Sequence, residues 1–190
     1  FEAVDSDFKE LMGNISARPQ VISCCTMEGR EAQLRAMNKE LEKCEKALNE
    51  YLEVKKSIFP RFYFVSNAAL VDILSNGNHL PKIMPHIGSV FDGIGDLALC
   101  LSKAQEEQLK TEEVGWTPGP QEAAKAMISK DQETVNFPFI FEMRGAVENW
   151  LNDLVEFMQL TLREVLVTSI ADAGAWELDR PREEWVFHVP

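Results

Sequence analysis

A chain of 190 residues, 45% of them hydrophobic and 26% charged, is long enough to bury a sizeable core as one domain or as two small helical subdomains. A formal net charge of −12 argues against nucleic acid, whose counterions only clustered Lys and Arg displace, and against an anionic membrane surface. No stretch approaches the roughly 18 to 20 consecutive apolar residues that cross a bilayer, and no secretory leader is visible. The first residue is Phe1 rather than Met, which predicts a piece of a longer polypeptide. Cys24, Cys25, Cys44 and Cys100 form neither a Cys-x-x-Cys pair nor a disulfide framework, and the vicinal pair lacks zinc-ligand spacing. A reducing, intracellular compartment fits that usage best.

In chain order, Phe1, Val4, Phe8, Leu11 and Met12 predict a first helix closed by Gly13 and Pro19. Residues 19–29 read as irregular. From Glu31, the positions Leu34, Met37, Leu41, Cys44, Leu48 and Tyr51 recur by threes and fours, predicting a helix over 31–56, about 39 Å long. The stripe suits a core helix in a bundle better than an intermolecular coiled coil, being under about three heptads. On the same criterion Cys44 is a buried thiol.

Pro60 ends this helix. The aromatic run that follows predicts extended backbone over 61–65, so that alternation places Phe62 and Phe64 on one face and leaves Tyr63 half exposed. Ser66 or Asn67 caps the next helix, which carries Leu70, Ile73 and Leu74 and stops at Asn76-Gly77-Asn78. Residues 81–95 predict a short helix. The apolar stretches 97–101 and 134–140 pair as a two-stranded ribbon. Between them, residues 102–122, with Trp116 among Pro118, Gly119 and Pro120, read as an exposed insertion without helical period. A last long helix over 144–170 carries Val147, Trp150, Leu151, Leu154, Phe157, Met158, Leu162 and Val165, with Glu148 and Glu156 outside its central stripe. The predicted fold class is mainly α: an elongated helical bundle or rod with an aromatic joint and one small β-ribbon.

Catalytic signatures are missing. There is no phosphate-cradling G-x-x-x-x-G-K-[ST] loop and no H-E-x-x-H, and the glycines of "GSVFDGIGD" read as helix-end residues. His79 and His86 would share a face only if one helix ran through both Pro81 and Pro85, which proline chemistry opposes. No catalytic, cofactor-binding or metal-binding residue is assigned. What remains is "SIFPRFYFVSN", with Phe59, Phe62, Tyr63 and Phe64 beside Arg61. Four rings bury roughly 150 to 250 Å² each when they clamp elements together, and a guanidinium stacks on a ring or pairs with a carboxylate or carbonyl. A ligand-binding aromatic cage is the sharper alternative, weakened because consecutive extended side chains alternate faces.

"CEKALNEYLEVKKSIFPRFYFVSNAALVDILSNGN", residues 44–78, resembles the linker region of dynein heavy chains. In that family a Tyr-Leu-Glu-x-Lys-(Arg or Lys) run leads into Phe-Pro-Arg-Phe-(Tyr or Phe)-Phe and then a Ser-capped helix ending in Ile-Leu. Here those parts are 51–56, 59–64 and 66–74. "VENWLNDLVEFMQLTLREVL", "ISKDQETVNF", "DFKELM" and "PREEWVFHVP" extend the resemblance over nearly the whole chain, and its flavour is closer to axonemal, outer-arm heavy chains than to cytoplasmic ones. Three departures stand out: Ala69 where an acidic residue is common, Lys56 where arginine is common, and a long 102–122 insertion.

The resemblance implies that residues 1–190 are part of a helical lever crossing a ring of AAA+ modules, a non-catalytic piece of a microtubule motor in the axoneme of a cilium or flagellum. It implies partners in that ring and in other dynein subunits and contact with microtubules only indirectly; the net charge of −12 already argues against nucleic acid and an anionic membrane as partners. ATP and Mg would belong to the ring, outside this stretch, as would the stalk and the microtubule-binding tip. Phe59, Pro60, Arg61, Phe62, Tyr63, Phe64, Ser66 and Trp150 are then a structural joint. An independent helical scaffold that binds a protein partner through its long helix or acidic insertion is the alternative; an unfamiliar hydrolase or metalloenzyme is a third, disfavoured by the missing motifs.

Overall fold

The computed structural model describes residues 1–111, 121–174 and 181. The chain is mostly helical with a small three-stranded antiparallel sheet, and it divides into two compact units, Phe1–Val54 and Lys55–Pro190.

The first unit holds α1 (Glu2–Ala17), α2 (Val21–Cys25) and most of α3 (Arg30–Ile58). Helix α1 runs through Gly13 instead of ending there. A glycine inside a helix costs only about 1 kcal/mol, and the apolar spacing continues to Ile15 before Pro19 forces a stop. A short helix likewise occupies part of the stretch expected to be irregular. Gly29, with φ at +80°, turns the chain into α3 in a conformation that costs a side chain dearly. The α3 stripe is not a bundle core among the described residues: Met37 and Leu52 are buried, Cys44 is half-buried, and Leu34, Leu41, Leu48 and Tyr51 are exposed.

The second unit begins with the last turn of α3. A 3₁₀ helix (Pro60–Phe64), α4 (Asn67–Ser75) and α5 (Leu80–Val90) follow, then β1 (Ile94–Cys100), α6 (Lys103–Thr111), β2 (Ala123–Ser129), β3 (Thr134–Glu142) and α7 (Val147–Ala173). The sheet order is β1-β2-β3, so the two stretches expected to form a ribbon do not touch. β2 lies between them, antiparallel to both. Its buried Ala123, Ala124 and Ala126 are small enough to let the layers on either side close over it. α5 packs on β1, α4 and the 3₁₀ helix, and α7 packs on β3.

α5 contains both Pro81 and Pro85, as the helix expected over 81–95 does, although proline chemistry is expected to oppose a helix through both that would place His79 with His86. Pro81 falls in the first turn, where its missing N–H is no loss. The bond lost at Pro85 is offset by burial of Leu80, Ile83, Met84, Ile87 and Val90. The helix stops at Val90, earlier than read, and Ile94 starts a strand.

The segment 102–122 is helical over Lys103–Thr111, and Ser102 and Gln105 are buried. Gln105 Oε1 accepts from the Ser102 N–H at 3.0 Å, while Ser102 Oγ accepts from the Gln105 N–H at 3.3 Å. This reciprocal capping box supplies the start signal that apolar period alone did not reveal. Trp116, Pro118, Gly119 and Pro120 lie outside the described residues. Among those described, no helix is long and apolar enough to cross a membrane.

Candidate functional site

The aromatic corner is built where α3 ends. Phe59 leaves the helix with φ −125° and ψ 93°, and Pro60 opens a 3₁₀ helix rather than an extended run. Its backbone bonds are tight: the Phe62 N–H donates to Phe59 O at 3.0 Å, and the Val65 N–H to Phe62 O at 3.1 Å. With three residues per turn, positions i and i+3 eclipse. Phe59, Phe62 and Val65 therefore share the buried face, and Phe62 is 0% exposed. Tyr63 and Phe64 turn outward, Phe64 to 79% exposure. Phe62 and Phe64 are thus on different faces, which overturns the alternation expected of an extended strand. Among the described residues no strand pairs with this run, so its high β propensity has no ladder to join.

The rings interlock as an edge-on pair: Phe59 and Phe62 centroids lie 5.0 Å apart at 81°, with Phe91 at 6.4 Å from Phe59. Arg61 Cζ lies 5.1 Å from the Phe91 centroid, so its guanidinium covers that ring from the solvent side, and among the described residues it pairs with no carboxylate or carbonyl. Ser66 caps α4, its Oγ accepting from the Ala69 N–H at 3.3 Å. Ala69 cannot reciprocate as an acidic residue would, so the cap is one-sided.

Two adjacent lysines fix the corner to the rest of its unit. Lys55 Nζ donates to Glu148 Oε1 of α7, and the Asn152 side chain donates from α7 to Ile58 O at 3.0 Å. Lys56 Nζ donates to Asn67 Oδ1 in the first turn of α4 at 2.9 Å and lies 5.6 Å from the Tyr63 centroid. Glu148, which lies outside the central apolar stripe of its helix, is nevertheless only 4% exposed. Nothing local announces this, since its partner is 93 positions away. Trp150 is 1% exposed and is not among the ring pairs of the corner. It is two residues beyond Glu148, about 200° around the helix, and its Nε1 is buried without a hydrogen-bond partner among the described residues.

A second cluster escaped the sequence reading. Phe137, Phe139 and Phe141 of β3 lie 5.1, 4.7 and 5.1 Å from Phe157 of α7. Their period of two was the available signal. It is exploited through a bulge: a single residue of β2, Lys125, stands opposite residues 137–140 of β3. In a regular strand three alternate side chains span about 13 Å, too far to share one ring. Pro138, with no N–H to offer a ladder, sits inside this bulge.

His86 Nε2 lies 2.9 Å from Asp72 Oδ2, tying α5 to α4, while His79 stands just before α5 as its cap residue. Beyond Phe157, α7 exposes Leu162, Leu166, Val167 and Ile170, so the apolar face expected along its whole length is covered only in its first half among the described residues.

A corner of this kind, filled by rings and held by part-buried polar pairs, resists deformation. The comparisons agree on the class. A sequence model of the dynein heavy chain N-terminal region 2 matches residues 1–169. The ciliary dynein beta chain of Tripneustes gratilla is 37% identical over 190 residues, covering 100% of this chain and 4% of its own length. The flagellar outer arm dynein beta chain of Chlamydomonas reinhardtii is 38% identical over 187 residues, covering 98% and 4%. Dynein axonemal heavy chain 17 of Mus musculus is 36% identical over 190 residues, covering 100% and 4%. The chain belongs to the dynein heavy chain family, in its N-terminal region 2. It spans about 4% of the length of the curated relatives it matches.

Proposed function

We propose that this stretch is a force-transmitting linker element of an axonemal dynein heavy chain, working in the cilium or flagellum. The observation that carries the reading is the corner, where Phe59 and Phe62 fill a dry turn and Lys55 and Lys56 lead to two different helices. Such a joint keeps the last turn of α3, α4 and α7 in register under load, as a lever requires. The names of the relatives, ciliary, flagellar and axonemal, support the location, and one outer-arm relative supports the finer class. On this reading the segment is part of a rod that bends and straightens against the AAA+ ring of its own heavy chain. Other dynein subunits are its neighbours, and microtubules are engaged only elsewhere in the motor. ATP and Mg act in the ring, and the parent chain is the ATPase; this segment binds neither and is not an enzyme.

Two measurements test the reading. The purified 190-residue chain is expected to show no stoichiometric ATP binding or turnover. In the whole heavy chain, Phe62→Ala is expected to slow microtubule gliding more than basal ATP turnover. Equal loss of both would mean that the corner communicates with the nucleotide sites instead of transmitting a swing. A second reading, a helical scaffold for a protein partner, is favoured by one observation, the open apolar stripe of α3.

A further inference from the structure

We draw no further inference here: the strongest candidate, the exposed leucine seam of α3 in the first unit (Leu34, Leu41 and Leu48), is an apolar face left open among the described residues, and nothing in the structure shows what covers it.

Discussion

Phe62 has no exposed surface and meets Phe59 edge-on at 5.0 Å. Phe62→Ala empties that space and is expected to cost about 3 to 5 kcal/mol, read as a lowered urea midpoint at unchanged slope. Phe64→Ala, two residues on, removes a side chain that is 79% exposed, and its melt is expected to stay within about 0.5 kcal/mol of the parent. The importance of this run was legible in its composition, and so was the cap at Ser66. Which rings are buried was not, because aromatic residues after a proline suit an extended strand as well as a 3₁₀ turn. The spacing Phe59, Phe62, Val65 was the deciding signal, a period of three where a period of two was read. Cys100, at the end of β1, makes a different residue-scale prediction. Burial pushes its thiol up, Lys125 opposes that and Glu106 adds to it. With less thiolate at neutral pH, Cys100 should be alkylated by iodoacetamide more slowly than the exposed Cys25 under native conditions, as mass spectrometry can follow. Because the folded thiol holds its proton longer, this group's contribution to stability is full below the ordinary thiol range and declines as pH rises through it.

At the scale of elements, the pairing of Lys55 with Glu148 joins the last turn of α3 to α7 within the second unit. Glu148→Ala leaves an ammonium with little water around it and an empty space in α7. A loss of about 3 kcal/mol is expected, at the lower end for a broken buried pair because Lys55 keeps some solvent contact. The double variant Lys55→Met, Glu148→Leu should recover most of that loss, since apolar replacement removes both desolvated charges together. A double that stays as unstable as the single would show that the site needs charge for its geometry. The long helices α3 and α7 were legible from period alone, because many repeats average over local exceptions. The sheet was legible only at its edges. β2 reads "AAKAMIS", rich in a strong helix former and poor in branched residues. Its strand state comes from neighbours on both sides, which no local pattern encodes.

For the molecule as a whole, burial is unequal between the units. Within Phe1–Val54 the buried apolar residues are Leu11, Met37 and Leu52, while the second unit buries α5, the sheet and the first half of α7. Few buried groups mean low-energy opening. Hydrogen exchange of the 190-residue chain is therefore expected to be faster over 1–54 than over 123–129 and 147–157. Equal protection in the two regions would mean that the first unit is stabilised by something other than its own core. The bulge in β3 carries a consequence for the order of assembly. Residues 137–140, Pro138 among them, stand out of the ladder where Phe157 collects three rings. Until α7 arrives, the hairpin has only Pro138 to favour that register over a plainer one. The ring cluster closes a loop of about 20 residues, whereas the Lys55–Glu148 pair closes one several times longer, so entropy favours the former as the earlier event. α7 would then select the register of the sheet first and capture the end of α3 last. Phe157→Ala should slow refolding as well as destabilise, and Glu148→Ala should chiefly speed unfolding.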